Sequence, residues 1–183
     1  MDEVVFNADE TCWEVFEQID GKTGHRWYLW VFRSVSVVFY QMVPTRGADV
    51  PKIHFAGIKS LEIVVVCDRY TSYKSLASDY EEITLAFCWA HLRRDFLDTA
   101  RSYPEFEQWT FGWIEMIREL YQINGERVKE FNCDLSIEEQ NQNFIEHNES
   151  LRTVLLQMEE QTELQLSDSE LHSAKRKVRK KFR

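Results

Sequence analysis

Hydrophobic positions in roughly the first half of the chain recur in short runs with the period of extended strands, and from Ala90 onward they recur with the period of helices. The run Val4-Val5-Phe6-Asn7-Ala8 ends at Asp9, and Trp13-Glu14-Val15-Phe16-Glu17 alternates as a half-buried strand does. Asp20-Gly21-Lys22-Thr23-Gly24 supplies hairpin turn chemistry, and two further β-rich runs follow at 27–32 and 35–40. The expected product is a three-stranded antiparallel meander. Pro44-Thr45-Arg46-Gly47 interrupts it, and a short helix is expected over 50–55. Glu62-Ile63-Val64-Val65-Val66-Cys67 is then continuously apolar and β-branched, the pattern of a strand covered on both faces, and it ends at Asp68. A helix over 70–78 and a fifth strand over 83–87 complete this half.

Beyond Ala90 the apolar positions Leu92, Phe96 and Ala100 share one helical face, as do Phe106, Trp109, Trp113, Ile117, Leu120 and Tyr121 on the next helix. Residues 136–166 are rich in Glu and Gln, with Ile137, Phe144, Leu151, Leu155 and Met158 near helical spacing, and read as a helical arm. The pattern thus predicts an α+β chain, with a core over 1–100 and an α-helical part over 101–183.

Composition narrows the function classes. With 44% hydrophobic and 29% charged residues, the 183-residue chain is expected to fold around a real core. No stretch is long and apolar enough to span a membrane, and the start lacks signal-peptide patterning, so the cytoplasm is the default expectation. Cys12, Cys67, Cys88 and Cys133 are scattered without a Cys-x-x-Cys pair, which argues against a disulfide framework or a four-thiolate zinc site. The net charge of -9 hides a division, because seven of the 22 basic residues lie between Lys175 and Arg183. That terminal run reads as a solvated helix end. An acidic body repels nucleic acid unless bound cations offset the repulsion.

Asp9 and Asp68, each expected at the C-terminal end of a strand, are the kind of acids a two-metal phosphoryl-transfer site requires, since hard cations prefer carboxylate oxygen. An aspartate at a strand end is more often a turn former, so spacing alone does not decide the matter. The order of elements adds weight: three antiparallel strands, a helix, a buried strand, a helix and a further strand is the ribonuclease-H-like order, with acids on its first and fourth strands.

The words around these residues are more specific. Asn7-Ala8-Asp9-Glu10-Thr11-Cys12-Trp13, Gly21-Lys22 with Trp27-Tyr28-Leu29-Trp30-Val31, Pro44-Thr45-Arg46-Gly47-Ala48, Cys67-Asp68-Arg69-Tyr70-Thr71-Ser72-Tyr73 and Cys88-Trp89-Ala90-His91-Leu92-Arg93-Arg94-Asp95-Phe96 together resemble the catalytic domain of insertion-sequence-66 family transposases. The resemblance runs from Val4 to Phe96 and continues weakly through the helical part. It implies an Asp-Asp-Glu transposase on a ribonuclease-H-like mixed sheet, in which two Mg2+ or Mn2+ ions serve strand cleavage at element ends and joining of the freed 3′ hydroxyl to target DNA.

Carried over by motif, Asp9 and Asp68 are the first two acids. The family's third carboxylate lies beyond a helical insertion, and no segment here resembles its closing motif. Glu10 is a poor substitute, because neighbouring strand residues face opposite ways. The zinc-binding or helix-turn-helix segments usual upstream are not recognisable, so the chain is expected to be truncated at both ends, with the C-terminal part of the core missing and no activity alone. The resemblance also implies double-stranded element-end and target DNA, other transposase subunits or accessory proteins as partners, and a bacterial cytoplasmic, nucleoid-associated setting. The rival expectation is a non-catalytic interaction protein or decayed relic that binds transposase subunits or DNA.

Lesser features have plainer alternatives. Cys88 and His91 reads first as a buried thiol and a hydrogen-bonding imidazole supporting the active site, since two ligands do not close a zinc site. Arg93 and Arg94 are divided evenly between DNA contact and a solvated helix face, as Arg69 with Tyr70 is between phosphate contact and support of Asp68. Arg46 reads first as a turn residue, and Trp109 and Trp113 as helical core rather than a base-stacking surface.

Overall fold

The computed structural model describes residues 3–16, 21, 24–57, 62–131 and 134–181. It contains a mixed five-stranded sheet and six α-helices among these residues, in an α+β arrangement. Two compact units divide the chain, Met1–Cys88 and Trp89–Arg183.

The first unit holds strands β1 (Val5–Glu14), β2 (Arg26–Arg33), β3 (Val38–Val43), β4 (Ile63–Cys67) and β5 (Ile83–Phe87), with helices α1 (Asp49–Phe55) and α2 (Thr71–Asp79). The sheet order is β3-β2-β1-β4-β5: β1, β2 and β3 pair antiparallel, whereas β4 pairs parallel with β1 and with β5. Ala8, Trp30, Phe32, Ile63, Val65, Cys67 and Ile83 bury against Val50 and Phe55 of α1 and Tyr73 and Leu76 of α2, so within this unit both helices cover one sheet face. Val64 and Val66 on the other side of β4 are half-buried, so the strand alternates rather than being buried equally on both faces. Parallel pairing of β4 follows from the α1 and α2 crossovers on either side of it, which let each strand re-enter the sheet in the same direction.

Two strand expectations are corrected. The runs at 4–8 and 13–17 are parts of one strand, and Asp9 stands in its middle. The reason lies in pairing: Asn7 to Glu14 all face partners in β2, from Arg33 to Arg26, so the hairpin carries β1 well past its last level with β4. This overhang leaves Trp13 and Phe16 exposed rather than half-buried. Glu17, Asp20, Lys22 and Thr23 of the expected strand and turn, like Cys133, lie outside the described residues. Likewise β3 begins at Val38 rather than Val35, because Ser34 and Val37 close a turn in which Ser34 N–H donates to the Val37 carbonyl at 2.9 Å.

The second unit comprises α3 (Trp89–Ser102), a 3-10 turn (Pro104–Phe106), α4 (Glu107–Phe131), α5 (Ile137–Ser167) and α6 (Ser173–Arg179). Leu92 and Phe96 of α3 bury against Trp113, Ile114, Ile117 and Leu120 of α4, Val154 and Met158 of α5, and Val178 of α6. That shared core is why the second compact unit begins in sequence at Trp89. Trp113 is core as expected, with Trp109 packed beside it. The terminal basic run departs from its expectation: Arg179 is fully buried, with its guanidinium 3.2 Å from the Trp113 ring centroid and 4.6 Å from that of Phe96. Three aromatic faces supply an electron-rich slot that a solvated helix end lacks, and Trp109 forms the third at 5.4 Å.

Candidate active site

The last β1–β4 pair is Asn7 with Val66, and Asp9 and Asp68 each follow that pair by two residues in their own segments. Asp9 lies just past the point where β1 leaves its parallel neighbour, and Asp68 directly follows the last residue of β4. Strand alternation turns Asp9 to the exposed side with Asn7 and Thr11, while Ala8 and Glu10 turn toward the helices. The Asp9 carboxylate accepts the Glu10 backbone N–H at 2.9 Å. One Asp68 oxygen, Oδ1, accepts the Tyr70 N–H at 2.8 Å, in a turn that leads into α2.

Glu10 is the residue whose role sequence reading missed. Its side chain is wholly inaccessible, and both oxygens are engaged: Oε1 accepts from Arg46 Nε at 2.8 Å and Nη2 at 2.6 Å, and Oε2 accepts from the Tyr73 hydroxyl at 2.6 Å. Burial pushes the Glu10 carboxyl up, against the opposing effects of Tyr73 and Arg46. Burial beside this carboxylate also pushes the Tyr73 phenol far up, so it remains a donor. Alternation along the observed β1 puts Glu10 on the same face as buried Ala8, where a carboxylate needs a cation and a donor. Which groups answer that need was not legible, because Arg46 and Tyr73 lie 36 and 63 residues away.

Arg46 is more than a turn residue. Its guanidinium stacks 3.7 Å from the Tyr70 ring centroid, and Nη2 lies 4.0 Å from Asp68 Oδ2. The turn bearing it is held at two carbonyls: Thr45 accepts from the Trp30 indole N–H at 3.2 Å, and Arg46 accepts from the buried Ser72 hydroxyl at 2.9 Å. The structure therefore joins Asp68, Arg46, Glu10, Tyr70 and Tyr73 in one network, with Asp9 on the neighbouring strand turned away from it.

The remaining candidates are dispersed. The half-buried Arg69 lays its guanidinium 4.6 Å from the Phe87 ring centroid. Cys88 ends the first unit as a partly buried free thiol whose N–H donates to the Cys67 carbonyl at 2.8 Å. Burial pushes the neighbouring Cys67 thiol up to about 12, which leaves it unreactive. His91, Arg93 and Arg94 belong to α3 in the second unit; His91 is half-buried and both arginines are exposed. Among the described residues no group of three or more His, Cys, Asp or Glu side chains is disposed to hold one metal ion.

Chemically, Asp9 in mid-β1 and Asp68 just past the end of β4 offer hard oxygen donors on adjacent segments, and Glu10 does not add to them because its oxygens are already taken. That donor set suits a divalent cation that completes its shell with water or other ligands.

Comparison with known proteins adds three findings. Residues 1–183 match the family model described as Transposase IS66 family. The uncharacterized protein y4qI of Sinorhizobium fredii (strain NBRC 101917 / NGR234) is 36% identical over 106 residues, covering 50% of this chain and 19% of that protein. The chain therefore spans about a fifth of the length of the curated relative it matches. Among solved structures, the HTLV-2 integrase catalytic core domain, in complex with magnesium and in dimeric form, aligns with a TM-score of 0.33 and 8% identity, covering 56% of this chain and 75% of that chain.

Proposed function

Because the chain belongs to the IS66 transposase family, we propose that it contributes two metal-binding carboxylates, Asp9 and Asp68, to a DNA strand-cleavage and strand-transfer site at insertion-sequence ends. The observation that carries this reading is local: Asp9 lies two residues past the last β1–β4 pair, Asp68 directly follows β4, and the intervening acid, Glu10, is buried and neutralised by Arg46. The sheet order β3-β2-β1-β4-β5 supports a ribonuclease-H-like core, in which acids from the first and fourth strands stand side by side.

In the proposed site Asp9 and Asp68 hold Mg2+ or Mn2+, two ions being expected once the ligand set is complete. Such ions would activate the attacking oxygen and stabilise the leaving one. The chain's own contribution is to carry one carboxylate on β1 and the other directly after β4, where the sheet hydrogen bonds fix the backbone that bears them. Asp68 is oriented by the Tyr70 N–H, and Asp9 by the Glu10 N–H. Exposed Arg93 and Arg94, and Arg69 next to Asp68, are the proposed phosphate contacts, since guanidinium groups match phosphate geometry. Double-stranded DNA and other transposase subunits are the proposed partners. No described helix is long and apolar enough to cross a membrane. With two acids and no third ligand beside them among the described residues, the chain by itself is proposed to bind metal weakly and not to cut DNA.

The test pairs Mn2+ binding, followed by electron paramagnetic resonance, with cleavage of insertion-sequence-end duplex in Mn2+. Asp9→Asn and Asp68→Asn are each expected to weaken Mn2+ binding at least about tenfold, with no cleavage above background by any form of the chain alone. Unchanged Mn2+ binding in both variants would remove the metal assignment. Asp68-dependent cleavage by the chain alone would remove the claim that its site is incomplete.

A further inference from the structure

The network around Glu10 is unusual in what it assembles for one side chain. Three groups converge on the Arg46 guanidinium, buried Glu10 on one edge, the Tyr70 ring on its face and Asp68 near Nη2, and the turn that bears it is held at two successive carbonyls by Trp30 and Ser72. A turn former needs none of these. A surface ion pair contributes little and is rarely fixed, whereas this cation is anchored on a carboxylate with no access to water.

The placement has a direct consequence for Asp68. Its Oδ1 is held by the Tyr70 N–H at 2.8 Å, and its Oδ2 faces Arg46 Nη2 at 4.0 Å. Tyr70 serves both sides, giving its N–H to Asp68 and its ring to Arg46. A carboxylate hydrogen-bonded at one oxygen and drawn toward a cation at the other favours one rotation about its terminal bond, so the orientation presented to an incoming cation is biased beforehand. Arg46 does not bring a net positive charge, because Glu10 balances it. Its effect on Asp68 is that of a near dipole, attractive enough to orient the carboxylate without excluding a divalent ion.

We propose that Arg46 is the positioning residue of Asp68: anchored on Glu10 and braced on Tyr70, it selects the Asp68 conformer that binds metal. This rests on the reading of Asp68 as a metal ligand, and it assigns Glu10 and Tyr73 as the support of that positioning group rather than as ligands. Lysine at position 46 keeps the charge but loses the planar stack on Tyr70 and the two-nitrogen grip on Glu10, so it should restore the function in part.

The experiment compares the chain with its Arg46→Gln and Arg46→Lys variants, in crystal structures and in Mn2+ affinity. Because Arg46→Gln leaves Glu10 buried without its cation and so threatens folding, the double variant Glu10→Gln/Arg46→Gln is included, in which no buried charge is left unpaired. Asp68 is expected in one orientation in the wild type and Arg46→Lys, and displaced or split in the glutamine variants. Mn2+ affinity is expected to fall about tenfold in the glutamine variants and less in Arg46→Lys, as for the loss of an outer hydrogen-bonding partner of a metal ligand. An unmoved Asp68 with unchanged Mn2+ affinity in the folded double variant overturns the proposal, whatever happens to the melting temperature. Movement of Asp68 in that variant, with Asp68→Asn leaving Mn2+ binding unchanged, keeps the positioning role and overturns the metal reading instead.

Discussion

Removing the Tyr73 hydroxyl should destabilise the first unit by an amount that depends on pH. Tyr73 is fully buried, and its hydroxyl donates to Glu10 Oε2 at 2.6 Å. A hydrogen bond to an ionised group contributes roughly 1.5–3 kcal/mol, against about 1 kcal/mol for a neutral one. Tyr73→Phe should therefore cost about 2 kcal/mol where Glu10 is ionised, or ~30-fold in the opening equilibrium. The Glu10 carboxyl is already raised by burial, and losing the Tyr73 donor raises it further. An acid raised in the folded state contributes stability that is complete below its unfolded value and is lost as pH rises through its folded value. The deficit of Tyr73→Phe should accordingly be about 1 kcal/mol near pH 4 and grow to about 2 kcal/mol near pH 8. In a Glu10→Gln background, where only a neutral bond is lost, it should stay near 1 kcal/mol at both pH values, a coupling of about 1 kcal/mol. Amide hydrogen exchange of β1 and β4 under increasing urea reads the first unit separately from the second. An equal deficit at both pH values, or the same deficit with and without Glu10, would refute the assignment of Glu10 as a buried ionised partner.

Two further predictions concern the second unit. Burial pulls the Arg179 pKa down to about 9, so the group is still cationic at neutral pH, and its Nε and Nη2 have no hydrogen-bond partner among the described residues. Arg179→Met, which fills the same slot without a charge to desolvate, should match or exceed wild-type thermal stability, whereas Arg179→Ala should cost about 3 kcal/mol; a methionine variant as damaged as the alanine one would show that the stacked cation itself is required. Ser136 caps α5 by accepting the Glu139 N–H at 3.3 Å and donating its own N–H to the Glu139 carboxylate at 3.0 Å. Ser136→Ala should cost about 1 kcal/mol and speed amide exchange over the first turn of α5, with no change at its far end.

What the linear sequence determined is what depends on near neighbours. Helices at 49–55 and 71–79 and strands at 63–67 and 83–87 fall within a residue or so of their expected bounds, because side-chain periodicity and turn chemistry act over a few residues. The motif words around Asp9 and Asp68 likewise identified the family, because they are short and local. Tertiary structure decided whatever depended on distant partners. Asp9 moved from a strand end to mid-strand because β2, rather than β4, sets the length of β1. Glu10 became a buried anchor only when Arg46 and Tyr73 were folded onto it. Arg179 passed from the expected solvated helix end into an aromatic slot formed by α3 and α4. A charge can be buried only where its partners are assembled, and for Glu10 and Arg179 those partners came from segments that no local pattern connects.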